Sequence, residues 1–138
     1  MAAFQTQDRI KDLSGEEWKS IEGYDEKYLI SNYGRVKSLK KHKAILLRQQ
    51  MNNKGYYRVA LCKKGKMKYV LTHRLVAEAF VENDDPTEKN TVDHIDANKQ
   101  NNCSSNLRWL SLADNVKEYY ALKERLKESS DETVLHTL

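Results

Sequence analysis

The sequence predicts an α+β fold: small antiparallel sheets first, then a strand, a long loop, a second strand and a closing helix. Three observations carry this. Tyr57, Val59 and Leu61 alternate with Arg58, Ala60 and Cys62, and Lys63-Lys64-Gly65-Lys66 turns the chain into the returning stretch Met67 to Thr72, a hairpin pattern. Farther on, Thr91-Val92 and Leu107-Arg108-Trp109-Leu110 flank a long polar loop. Leu112, Val116, Tyr119 and Leu126 then recur at helical spacing.

The elements follow in order. Tyr28-Leu29-Ile30 and Arg35-Val36-Lys37 flank Ser31-Asn32-Tyr33-Gly34, a tight connection between two strands. Residues 40–54 are a basic, polar connection interrupted by Ile45-Leu46-Leu47. Thr72 is expected to cap a short helix whose Leu75, Val76, Ala79 and Phe80 share one apolar face, with Asn83-Asp84-Asp85-Pro86 ending it. Ser111 is expected to cap the last helix, whose Tyr119 to Leu126 stripe either covers the core or meets a second copy. At 138 residues, 39% hydrophobic and 32% charged, the chain is one domain with a small core, expected in two clusters under separate sheets with Trp18 and Trp109 as anchors. The expected division is a flexible N-terminus over 1–15, a basic β-rich region over 16–72, a compact core over 73–128 and a flexible tail over 129–138.

The net charge of +4 hides a segregation. From Lys27 to Arg74 there are fourteen Lys or Arg residues and no Asp or Glu, so the rest of the chain holds ten basic residues against all twenty acidic ones. An ordinary solvated face mixes both signs, and a one-sign stretch of this length implies a polyanionic partner. No apolar run is long enough to span a membrane, and MAAFQTQDRIKDLSG lacks the basic-then-apolar layout of a secretion signal, so a cytoplasmic location is expected. Cys62 and Cys103 are too few for a disulfide framework or a four-cysteine site; two reduced thiols and no structural zinc are expected.

The chemistry concentrates in TVDHIDANKQNNCSSNLRWLSLADNV. Asp93 sits beside His94, eleven residues separate His94 from Asn106, and eight separate Asn106 from Asn115. Hydrolysis of a phosphodiester around a hard cation needs such parts: oxygen ligands on rigid elements and a general base. Asp96, Asn98 and Gln100 mimic the start of a calcium loop, but Asn101 stands where glycine is required and Leu107 where the closing glutamate belongs. Asp96, Asn98, Asn101 and Asn102 are therefore read as loop staples.

Strand, loop, strand and helix carrying Asp93, His94, Asn106 and Asn115 resemble the ββα-metal (His-Me finger) core of HNH endonucleases of the phage homing type. The likeness begins at Thr72-His73-Arg74-Leu75-Val76-Ala77 and continues through Asp93-His94, Asn101-Asn102, Asn106-Leu107-Arg108-Trp109 and Asn115. The stretch from Glu17-Trp18-Lys19 to Ser38 resembles the nuclease-associated modular DNA-binding motif that often precedes such cores, and together these cover about three-quarters of the chain. Ala97 stands where relatives commonly carry glycine.

The resemblance implies a DNA endonuclease that uses one divalent cation per site and leaves 5′-phosphate and 3′-hydroxyl ends. His94 is then the general base, Asp93 and Asn115 are the metal ligands, and Asn106 completes the catalytic set in a structural role, its amide bonding backbone across the long loop to fix the orientation of His94. Asp114 is the stronger ligand on charge and stays an alternative, although it lies about 100° from Asn115 on a helix, and spacing selects Asn115. Magnesium suits such an oxygen-rich site, with manganese substituting. The expected partner is double-stranded DNA, held by Arg58, Lys63, Lys64, Lys66 and Lys68 of the hairpin with Arg35, Lys37, Arg74 and Arg108. A monomer would nick and a homodimer would cut both strands. Related enzymes often carry a helix-turn-helix after the core; the sequence ends soon after the last helix, and a shorter footprint is the expectation. The competing readings are a DNA-binding protein without turnover and an RNA-binding module.

Overall fold

The computed structural model describes residues 10–137, with side chains through Glu128. Short β-branched and aromatic runs punctuated by glycine turns build three antiparallel sheets. The first joins β1 (Trp18–Ser20), β2 (Tyr28–Ser31), β3 (Val36–Ser38) and β4 (Ile45–Leu46) in that order. Trp18 pairs with Ser31, Ile30 with Val36 and Lys37 with Leu46. Ser31 closes the β2–β3 turn, its hydroxyl accepting the backbone N–H groups of Tyr33 (3.2 Å) and Arg35 (3.1 Å). Gly34 in that turn has φ +88°, and a methyl group there would lie 2.9 Å from the Cβ of Asn102. Only glycine permits both the backbone angle and the approach.

The second sheet joins β5 (Gln50–Met51), β6 (Tyr57–Lys63) and β7 (Lys66–Leu71). Lys64 and Gly65, with φ 51° and 76°, supply the two left-handed residues of a hairpin turn. The chain passes directly from β7 into α1 (Thr72–Phe80). Thr72 does not cap it: Leu71 holds the cap position with no side-chain bond, and the buried Thr72 hydroxyl donates to Gln49 Oε1 at 2.7 Å. The Gln49 amide donates in turn to the Gly34 carbonyl at 2.6 Å, tying helix to first sheet.

One core replaces the two expected clusters. Ile21, Tyr28, Ile30 and Val36 from the first sheet region, Val59 and Leu61 from the second and Leu107 from the third gather with Leu75, Val76 and Ala77 of α1. The helix buries Thr72 and His73 as well, so apolar contact surrounds it on more than the single face that its Leu and Val spacing suggests. Trp109 packs partly buried against this core, its indole N–H donating to Val81 O at 3.0 Å. Trp18 is no core anchor. It donates to Asp12 Oδ1 at 2.9 Å, and its ring lies under Lys37 Nζ, 3.9 Å from the centroid.

Residues 1–9 of the expected flexible N-terminus lie outside the described residues, but the stretch after them is fastened. Arg35 donates to Lys11 O at 2.9 Å, Tyr33 to Ser14 O, and Leu13 N to Glu16 Oε1 at 3.0 Å.

The third sheet pairs β8 (Thr91–His94) with β9 (Leu107–Leu110), placing Asp93 opposite Arg108 and His94 opposite Leu107. Ser111 caps α2 (Leu112–Thr137), accepting Asp114 N at 3.1 Å. The tail expected from Ser129 is instead helical backbone to Thr137; no glycine or proline follows Leu112 to stop it, and Leu138 lies outside the described residues. Leu112, Val116, Tyr119 and Leu126 are exposed and do not cover the core.

Candidate active site

Asp93, His94 and Asn115 line one cleft of about 130 Å³, together with Tyr56, Lys99 and Arg108. The end of β8 supplies the first two and the first turns of α2 the third. Asp93 Oδ2 accepts Arg108 Nε at 2.9 Å across the strand pair, and Arg108 also reaches Glu118 at 3.5 Å. That pairing leaves Asp93 Oδ1 for another partner. Asn115 Nδ2 donates to Thr91 Oγ1 at 3.0 Å, and Thr91 donates to Leu110 O at 2.7 Å, so the amide orientation is set from the strand side and its carbonyl is the end left over. Asp114 is exposed and is absent from the cleft wall.

His94 is buried at 6% exposure. Its Nε2 lies 2.8 Å from Asn102 Oδ1, and its ring is flanked by Tyr56 (centroids 5.9 Å) and His73 (5.0 Å). Tyr56 and His73 also touch, at 4.9 Å. Burial, and then the negative charge of Asp93, raises the Tyr56 pKa above the ordinary phenol value, keeping the hydroxyl protonated. His73 is pushed down to about 4, first by burial, then by His94 and Arg74, and its Nδ1 finds no hydrogen-bond partner among the described residues.

The His73 shift has a consequence for stability. Between pH 6.5 and about 4 the unfolded chain binds a proton that the folded chain refuses, so stability rises with pH across that window and is lost as pH falls through it. The effect is on the order of 3 kcal/mol. The parent's urea midpoint should drop between about pH 7 and about pH 5, and His73→Phe should flatten that drop. Glu16, held down to about 2 chiefly by its hydrogen bond from Arg35, titrates in a lower window, from 4.5 downward, and does not confuse the comparison.

Asn106 bonds backbone across the long loop, as expected, and makes no direct bond to the imidazole. Its Oδ1 accepts Asp96 N at 3.0 Å, and its Nδ2 donates to Asp96 Oδ1 and Asn101 O, both at 2.9 Å. Asp96 accepts Asn98 N at 2.8 Å and Asn101 Nδ2 at 2.9 Å as well, bonds that lower its pKa. Asn101 is thus a loop staple, whereas Asn102 is the imidazole's partner. Nothing in the sequence separates these two adjacent asparagines; only the path of the loop does. Ala97 holds φ 64° in this loop, a conformation that favours glycine.

The oxygens of Asp93 and Asn115 are hard donors, and among the described residues no group of three His, Cys, Asp or Glu surrounds a single point. A divalent cation that keeps waters and binds substrate phosphate oxygens fits such a sparse set.

Residues 70–117 match the model of the HNH endonuclease family, and residues 16–62 match the NUMOD4 motif. The chain belongs to the HNH endonuclease family. HNH nucleases generally use a divalent metal, in keeping with the donors on the cleft. The chain is 47% identical over 100 residues to DNA endonuclease I-HmuI of Bacillus phage SP01, covering 72% of this chain and 55% of that protein. It is 37% identical over 99 residues to the H-N-H endonuclease F-TflII of Escherichia phage T5, covering 72% and 50%. A solved structure on DNA binding and cleavage by the HNH homing endonuclease I-HmuI superposes with a TM-score of 0.69 at 38% identity, covering 83% of this chain and 66% of that one. The chain spans about half the length of these two phage relatives.

The basic residues of this HNH protein divide by location. Lys63, Lys64, Lys66 and Lys68 stand exposed on the β6–β7 hairpin, and the Arg58 guanidinium lies 4.1 Å over the Tyr69 ring. Arg35 and Lys37 are turned inward, Arg35 onto Glu16 in a two-pronged ion pair and Lys37 toward Asp12 at 3.6 Å. Arg74 lines a different cleft, donating to Asn90 O at 2.9 Å and pairing with Glu78 at 3.2 Å. Arg108, its side chain 40% exposed, pairs with Asp93 and lines the same cleft. Lys99 and Arg125 line the Asp93 cleft. No motif marked them, since they come from the loop and from the fourth turn of α2.

Proposed function

We propose that this chain is a magnesium-dependent DNA endonuclease, with manganese able to substitute, that hydrolyses one phosphodiester per site to 5′-phosphate and 3′-hydroxyl ends. The observation that supports it best is the convergence of Asp93, His94 and Asn115 on one cleft. His94 takes the proton from the attacking water. Asp93 and Asn115 would hold the cation, which would neutralise the charge that builds on the scissile phosphate and the leaving oxygen. Arg108 keeps Asp93 in place through the second carboxylate oxygen, and Thr91 keeps Asn115 turned toward the cleft. Lys99 and Arg125 offer positive charge to the flanking phosphates, and the exposed hairpin lysines hold double-stranded DNA farther out.

With a single site the monomer nicks one strand; a homodimer would be needed to cut both. A phage origin and action in the cytoplasm of a bacterial host agree with the phage relatives, and among the described residues no helix is long and apolar enough to cross a membrane. Incubation with supercoiled plasmid should give open circles in magnesium and none with a chelator. Retention of supercoils alongside DNA binding would leave the protein a binder without turnover.

A further inference from the structure

We propose that Asn102 is the positioning residue of the His94 base: its side-chain carbonyl holds the imidazole as the Nε2–H tautomer and so presents Nδ1 as the proton acceptor. This rests on His94 acting as the base. In a neutral imidazole one nitrogen donates and the other accepts. His94 Nε2 lies 2.8 Å from Asn102 Oδ1, and both residues are buried, at 6% and 5% exposure. An N–H donated there leaves the lone pair on Nδ1. Tyr56 and His73 flank the ring, so it has little room to turn and exchange its nitrogens. An amide suits this role because it is neutral across the working range. It orders the ring without adding a second negative charge beside Asp93.

Asn102 is held in turn by the first sheet. Its Cβ and its backbone oxygen lie 2.9 Å and 3.5 Å from where a Gly34 side chain would begin, and Ser104 N donates to Asn32 O at 2.8 Å. The β2–β3 turn thus forms the back wall of the catalytic loop. The region preceding the nuclease core thereby does more than grip DNA: it fixes the residue that orients the base.

The test is the tautomer itself. Histidine-selective ¹⁵N labelling of the full chain, read by long-range ¹H–¹⁵N correlation at about pH 8 with His94 assigned by its loss in His94→Ala, should show a protonated Nε2 and a bare Nδ1. Asn102→Leu should scramble this into both tautomers and lower kcat about 10- to 100-fold with KM for DNA unchanged. Asn102→Asp, which keeps an acceptor oxygen, should restore the Nε2–H form and recover part of the rate. A parent spectrum showing Nδ1–H overturns the proposal, as does an unchanged tautomer and rate in Asn102→Leu. The parent spectrum needs no turnover, so a chain that fails to cut DNA yet shows Nε2–H would sink the function and spare the tautomer.

Discussion

Replacing His94 with alanine should leave DNA binding nearly intact while slowing cleavage by about 100- to 10,000-fold, the usual contribution of a positioned proton acceptor. The separation is expected because the two tasks lie on different surfaces. His94 is buried between Tyr56 and His73 beside the small cleft, whereas the exposed lysines proposed to meet DNA stand on the β6–β7 hairpin. Removing the imidazole takes away the proposed proton acceptor and leaves Asp93, Arg108, Asn115 and Thr91 bonded as before. Single-turnover cleavage of a nicking substrate in magnesium, with binding followed by gel shift in a chelator, reads the two separately. A variant that cuts at the parental rate would remove His94 from the role of base. A variant that loses binding in proportion to cleavage would place the DNA against the cleft floor instead.

Much of this arrangement was legible in the sequence because the relevant physics is local. Lys64-Gly65 specifies a hairpin turn by backbone angle alone, and the period-2 alternation of Tyr57, Val59 and Leu61 fixes which face is buried. Ser111 caps α2 through a bond three residues away, and that places Asn115, not Asp114, on the cleft. What escaped depends on contacts distant in the chain. Thr72 looks like a cap until Gln49 claims its hydroxyl, and Arg35 looks like a DNA contact until Glu16 claims its guanidinium. Asn102 looks like its neighbour Asn101 until the loop turns one toward His94 and the other toward Asp96. The single core follows from α1 being shared by all three sheets, which its own residues state only in part.

Charge reversal of Lys63, Lys64 and Lys66 together should weaken DNA binding strongly and flatten its dependence on salt, by up to about three units in the slope of log K against log salt. Each lysine that neutralises one phosphate releases about one counterion, so the slope counts contacts without regard to sequence. These three side chains are exposed, and among the described residues no ion pair engages them. Arg35 and Lys37 differ in kind. Their charges are already answered by Glu16 and Asp12, so breaking them should cost folding stability before it costs binding. The contrast makes the experiment decisive about location. If the triple variant keeps the parental slope, the phosphates must be met elsewhere, and Lys99, Arg108 and Arg125 around the catalytic cleft become the surface to reverse next. If the slope falls while the cleavage rate at saturating DNA holds, the hairpin supplies affinity and the cleft supplies chemistry, as their separation in the fold implies.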